Sequence, residues 1–377
     1  MRALRVFFAL LLAVLALAFA GLRARYGGGE NFPDRSGAPT LGADALEVVA
    51  NLDFPPGNVA VSPSGRVFAT FHPEAGPPTA VFELRDGAPV AYPPGGLPGG
   101  LTYESALSLR VDRKNRLWVL DYGRYGLGQP RLLAFDLATD ALVYRHDFPS
   151  KVALVGSMLN DFQIAPDGRH VYIADASLFV QIPAIVDYDV GQQRARRLLQ
   201  GHESVLPEKF VPIVHGARME FYGVFAIRPG VDSIALDDAG EWLYYAPVTS
   251  RSLWRVRTAD LDDESLARET LESRVERFAD KTMSDGIAID SAGTLFLTDP
   301  EHSAILALGQ DRALRTLVKD ERLRWPDGLS LGPDGWLYVT CSALDRVILR
   351  GADEIRANAP YQIFRFRPGA GAGPEAR

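Results

Sequence analysis

The chain has 377 residues, 47% of them apolar, with 35 Gly, 26 Pro and a single Cys, and carries a formal charge of −7. There is enough apolar material for a core and enough turn residue for many short strands, which excludes a disordered chain. The acidic balance lacks the basic footprint of a nucleic-acid binder, and the lone Cys341 excludes an intramolecular disulfide.

In chain order, MRALRVFFALLLAVLALAFAG places Arg2 and Arg5 before an apolar run from Val6 to Phe19, then Ala18 and Ala20 in an A-x-A arrangement before Gly21. Residues 1–20 therefore read as a cleavable secretory signal. The run is shorter than the roughly 20 residues that span a bilayer, so the expectation is a secreted or periplasmic protein with no stable membrane span after cleavage, the alternative being an uncleaved membrane anchor. No cysteine follows the run, which argues against lipoprotein processing. Residues 21–44, with Gly27, Gly28, Gly29 and scattered Pro, read as a flexible lead-in.

Residues 45–367 carry six copies of one hairpin. The copies are GNVAVSPSGRVFATF (from Gly57), LSLRVDRKNRLWVLD (from Leu107), NDFQIAPDGRHVYIAD (from Asn160), DSIALDDAGEWLYYAP (from Asp232), DGIAIDSAGTLFLTD (from Asp285) and DGLSLGPDGWLYVTC (from Asp327). Apolar residues alternate on either side of a polar turn, the period of two that strands require. The turn residues Gly65, Asn115, Gly168, Gly240, Gly293 and Gly335 are 50, 53, 72, 53 and 42 positions apart, a spacing that suits four-stranded blades. The expectation is an all-β, six-bladed β-propeller. Aromatic residues recur on the second strand as Phe68, Trp118, Tyr172, Tyr244, Phe296 and Tyr338, where they suit packing between blades. The longest interval holds an insertion of roughly 177–231 that suits a loop or lid over one face, and ADLDDESLARETLESRVERF reads as one short surface helix. LEVVANL (from Leu46) and YQIFRFRP (from Tyr361) are strand-like and could close the ring, and residues 368–377 read as a disordered tail.

Aligned on their turns, the repeats carry Gly57, Leu107, Asn160, Asp232, Asp285 and Asp327 eight positions earlier. If the first strand is innermost, Asn160, Asp232, Asp285 and Asp327 ring the mouth of the central channel as oxygen ligands suited to Ca²⁺. Structural aspartates capping strand entrances would give the same pattern. A cationic organic ligand is a third way to neutralise the ring. Asp121, Asp175 and Asp299, at second-strand exits, share that face and are candidate ligand-binding residues, while Glu301 and His302 just beyond Asp299 are the candidate catalytic pair. The sequence has no G-x-S-x-G, H-E-x-x-H, Cys/His zinc spacing or phosphate-binding glycine loop. The partner expected is a small molecule bound by a monomer, with no nucleic acid.

RLWVLDYG (from Arg116), PRLLAFDLATDALVYRHDFP (from Pro130), HVYIAD (from His170), WLYYAPVTSRSLWRV (from Trp242), SDGIAIDSAGTLF (from Ser284) and WPDGLSLGPDGWLYVT (from Trp325) together resemble successive motifs of the major royal jelly protein/Yellow family. The resemblance covers most of residues 50–365 and implies a secreted six-bladed propeller. It also implies a choice of activities among dopachrome-type tautomerisation, amine binding and non-catalytic structural roles. The chain departs from the insect members in lacking their cysteines. The SDG and PDG entrances are similar to gluconolactonase-type propellers as well, whose metal site uses Glu, Asn and Asp at the channel mouth. That similarity implies a Ca²⁺-dependent lactone hydrolase, with Asn160 and Asp285 as counterparts and Glu104 or Glu74 as candidates for the glutamate.

Overall fold

The computed structural model describes residues 2–369. Most of the tail expected to be disordered, residues 370–377, lies outside the described residues.

Six antiparallel four-stranded sheets form the propeller, with the first strand of each hairpin innermost. Blade I runs Pro56–Val61, Val67–Phe71, Val81–Arg85, Ala88–Ala91, and blade II Ala106–Val111, Arg116–Asp121, Arg131–Asp136, Ala141–Asp147. Blade III is Leu159–Ile164, His170–Asp175, Ala184–Asp189, Arg194–Leu198, and blade IV Val231–Leu236, Trp242–Pro247, Ser252–Arg257, Glu276–Asp280. Blade V is Ile287–Ile289, Leu295–Asp299, Ala304–Leu308, Leu314–Lys319. Blade VI takes Pro326–Leu331, Leu337–Cys341 and Tyr361–Phe366 from the C-terminal part and Glu47–Leu52 from the N-terminal part. The last two pair from Glu47↔Arg365 to Leu52↔Tyr361, so both ends of the repeat region close one blade.

The turns explain the repeat. Asp112 Oδ1 accepts the N–H groups of Lys114 and Arg116 at 2.9 Å each, and Asp290 Oδ1 those of Ala292 and Thr294 at 3.0 and 2.8 Å. The following turn residue has positive φ in every blade, from 56° at Asn115 to 83° at Gly65, a conformation Gly and Asn tolerate best. The second-strand aromatics are all buried between sheets, as a propeller core demands. Cys341 is buried too, and burial raises its thiol pKa.

Three expectations change. The apolar N-terminus is a helix from Arg2 to Tyr26, and its 23-residue stretch Leu4–Tyr26 is long and apolar enough to cross a membrane, because Gly21, Leu22 and Ala24 prolong the run read from sequence. A signal sequence has the same form. The lead-in is not loose: Glu30 bridges Phe210, Phe32 packs edge-on against Phe210 with ring centroids 4.9 Å apart, and Thr40 and Leu41 donate to the carbonyls of Thr316 and Leu317 at 3.0 and 2.8 Å. The expected surface helix is two, Thr258–Asp262 and Arg268–Ser273. Between them Asp263 accepts both the N–H and the hydroxyl of Ser265, at 2.9 and 2.6 Å, a local turn that competes with helix.

Candidate ligand site at the channel mouth

Adjacent inner strands approach closely where they enter the channel, and the Asp-Gly dipeptides make this possible. A Cβ on Gly286 would overlap the Asp327 carbonyl oxygen, and one on Gly328 would lie 2.8 Å from Asn58 Cα. Thr298 and Thr340, on the neighbouring second strands, accept the Gly286 and Gly328 N–H groups at 2.9 Å each. Five of the six entrances also contain a register shift, including those between Leu159 and Phe162 and between Val231 and Ser233. Such bulges re-aim side chains, so consecutive residues can both serve the channel.

Asn160, Asp232, Asp285 and Asp327 do stand at the mouth. Asn160 Nδ2 donates to Asp232 Oδ1. Asp232 and Asp285 share a hydrogen bond, and Trp325 Nε1 donates to Asp285 Oδ2 at 2.5 Å. Burial holds the pKa of Asp232, Asp285 and Asp327 above the ordinary carboxylate range; the nearby Asp285 raises Asp232 and Asp327 further, while the Trp325 indole moderates Asp285 itself. Just beneath, Asp161 is compensated: it accepts from Asn58 and Ser108 at 2.7 Å each and pairs with Arg110 at 3.1 Å. Lys281, fully buried, donates to the Val248 and Thr282 carbonyls at 2.9 and 3.0 Å. Burial brings its ammonium down to about 7 against the pull of Asp299, Glu208, Asp285 and Asp232.

Above Asp232 and Asp285 lies a cavity of about 150 Å³ with apolar walls. Blades III, IV and VI contribute Met158, Phe179, Val248 and Trp325, and the insertion contributes Pro212, Phe221 and Phe225. Of the stretch read as an insertion, residues 184–198 are instead the outer strands of blade III, and the later part forms a lid of two small hairpins, Ile213–Val214 with Ala217–Arg218 and Glu220–Phe221 with Phe225–Ala226. On the blade I side the cavity meets His72, Glu74 and Tyr125, with the Tyr125 hydroxyl donating to Glu74 Oε1 at 2.6 Å. Burial pushes the His72 imidazole down to about 4, leaving it neutral. Trp325 holds φ at 52°, a strained conformation for a bulky residue, and that backbone carries the indole to Asp285.

Apart from Glu74, the other sequence candidates stand away from this cavity. Asp121 accepts the N–H groups of Glu104, Ser105 and Gly123 at 2.7, 2.8 and 3.0 Å. Asp175 is bonded to Ser157, Met158, Ser177 and Arg197, and Asp299 to Thr282 and His302. These three carboxylates fasten loops behind the mouth. His302 bridges Asp299 and Asp34, at 3.0 and 3.3 Å, and both carboxylates help raise its pKa. Glu301 Oε1 accepts the Ile213 N–H at 2.6 Å and so ties the lid to blade V; burial raises its pKa to about 7. Of the two glutamate candidates Glu74 lines the cavity, whereas Glu104 pairs with Arg124 and Arg131. His72, Tyr125, Phe179 and Trp325 went unread as site residues. The one local signal was Trp325 directly before the Pro-Asp-Gly entrance.

The profile described as "Major royal jelly protein" matches residues 104–365. The chain belongs to the major royal jelly protein family. Major royal jelly protein 3 of Apis mellifera is 27% identical over 222 residues, 56% of this chain and 39% of that protein. Protein yellow of Drosophila yakuba is 24% identical over 181 residues, 44% of this chain and 32% of its own length. The chain therefore spans under half the length of these two relatives. Among solved structures, the calcium-binding protein regucalcin of Agrobacterium tumefaciens superposes with a TM-score of 0.55 at 17% identity, covering 90% of this chain and all of that one. That likeness concerns the fold.

Proposed function

We propose that this exported royal jelly family propeller binds a small aromatic ligand bearing a cationic group at the channel mouth. One observation carries the reading: Asp232 and Asp285, crowded together with Asp327, line an apolar cavity walled by Phe179, Phe221, Phe225 and Trp325. A cation placed there relieves carboxylate repulsion, and a flat ring gains aromatic contact area. The hydrogen-bonded Asp232–Asp285 pair also contains the parts of a proton relay. One carboxylate can take a proton from carbon while the protonated partner delivers one to oxygen, which is a tautomerisation with no net redox change. In this reading Glu301 and His302 support the lid and its neighbouring loop.

A second reading uses the same floor for a metal. The oxygen donors of Asn160, Asp232, Asp285 and Asp327 come from four consecutive blades and suit a hard divalent cation such as Ca²⁺ in chemistry, with waters or bidentate carboxylates needed to complete its shell. Bound there, the ion would act as a Lewis acid, consistent with a lactone hydrolase. If neither reading held, the propeller would be a scaffold without chemistry.

Calorimetric titration with catecholamines and indolamines, run in calcium and again in chelator, separates the three. Amine binding is expected in chelator, and both Asp232→Asn and Asp285→Asn should weaken it about tenfold or more, ~1.4 kcal/mol. Heat from Ca²⁺ alone, with lactone turnover lost on chelation, would favour the metal. Silence in every arm would leave the scaffold.

A further inference from the structure

The distribution of exposed apolar side chains singles out one face. Between residues 27 and 369, the described large apolar side chains that are exposed fall into two groups. Val48, Val90 and Val143 sit on outermost strands, where isolated exposure is ordinary. Leu127, Val155, Phe179, Ile182, Tyr222 and Leu349 all belong to loops around the channel mouth, with exposures reaching 73% at Leu127 and 90% at Tyr222. Their placement is fixed by neighbours. Phe179 and Leu349 line the cavity, Tyr222 lies between Phe221 and Phe225 at the lid tip, and Leu127 follows Tyr125. The loop carrying Val155 is bonded to Tyr125 through the Gly156 N–H at 2.8 Å. None of the six hairpin turns on the opposite face carries an exposed large apolar residue.

The apolar N-terminal helix emerges from the same face. Its last turn is docked on the lid: Arg23 Nη1 donates to the Gly223 carbonyl at 2.8 Å, and the Tyr26 ring lies 5.9 Å from that of Phe225. Arg228 donates to the Tyr26 carbonyl at 2.7 Å, and Gly27 lets the backbone pass close to Val224, whose oxygen would lie 2.7 Å from a Cβ. The most apolar 18 residues of Leu4–Tyr26 have a mean hydropathy of 2.4, and none of them is buried by protein. Its uncharged run, residues 6–22, makes roughly 25 Å of helix, at the lower limit of about 17 residues for crossing a hydrocarbon core. Arg23, Arg25 and Tyr26 fall at its propeller end, the residue types that settle at headgroup depth.

We infer that the N-terminal helix stays attached as a membrane anchor and that the propeller lies with its channel mouth against the lipid surface, the rim of Leu127, Val155, Phe179, Ile182, Tyr222 and Leu349 dipping among the headgroups. The cavity then opens toward the bilayer, and its ligand arrives from the interface. The inference depends on the rim and the helix and would stand if the proposed ligand were wrong.

The full chain, reconstituted in phosphatidylethanolamine/phosphatidylglycerol vesicles, provides the test. Leu127→Cys, Tyr222→Cys and Leu349→Cys would each carry one environment-sensitive fluorophore, with Ser64→Cys and Ser291→Cys at the opposite turns as controls; Cys341 is buried and should not label. Lipid-borne nitroxides are expected to quench the rim labels at least threefold more than the controls. Equal quenching on both faces would overturn the orientation. Mass spectrometry of the protein from membranes of expressing cells should find residues 1–20 present, and a chain beginning at residue 21 would overturn the anchor.

Discussion

At the scale of single residues, the mouth is a place where charge is stored against its solvation preference. Asp327 is raised chiefly by burial, then by Asp285, Asp232 and Asp161. A carboxyl with a raised folded-state pKa favours folding fully below its unfolded value near 3.8, and that contribution is lost as pH rises through the folded value. Asp327→Asn is therefore expected to stabilise the protein at pH 7, by ~1–2 kcal/mol, and to make no difference near pH 3. Thermal melts of both proteins across that range check the sign. The entrance positions were legible because the hairpins share one register, which aligns Asn160, Asp232, Asp285 and Asp327 without any structure. Asp161, Arg110 and Trp325 were not. Their roles depend on bulges that turn neighbouring residues into the channel and on contacts between blades 40 to 103 residues apart in sequence.

At the scale of elements, the lid is the part that sequence could place only by length. Its hairpins have two-residue strands, too short to read from alternation, and they are held from outside. Phe210 meets Phe32 of the N-terminal segment, and Gly28 donates to Glu220 Oε1 at 2.5 Å. The lead-in looked loose because Gly and Pro are abundant there, yet its partners lie some 180 to 280 residues away and leave no local signature. Glu301 is the lid's attachment to blade V, so its acceptor oxygen matters more than its charge. Glu301→Ala should raise hydrogen exchange of amides 212–226 about tenfold while the blade strands keep their protection. Glu301→Gln retains a carbonyl acceptor and should leave the lid protected. It should also stabilise the protein above pH 7, since a carboxyl raised from 4.5 to about 7 withdraws its support across that interval.

At the scale of the whole molecule, the ring holds because the strand Glu47–Leu52 joins the sheet of Tyr361–Phe366. That strand runs on directly into blade I, and without it blades VI and I would be linked only by side-chain packing. Opening this seam is therefore the natural first step of global unfolding. Glu47 and Arg365 face each other across it and already form an ion pair at 2.9 Å. Directly opposed antiparallel residues have Cα atoms about 4.5–5.5 Å apart, within the range a disulfide spans. The double substitution Glu47→Cys and Arg365→Cys should thus cross-link on oxidation, with buried Cys341 taking no part. Closing so long a loop is expected to stabilise the oxidised form over the reduced one by about 2–4 kcal/mol, less any native strain. Denaturant titrations with and without reductant measure the difference in one protein. A markedly slower unfolding rate in the oxidised form would identify the seam as the point where the ring opens, whereas equal unfolding rates would place the first breach at another blade boundary.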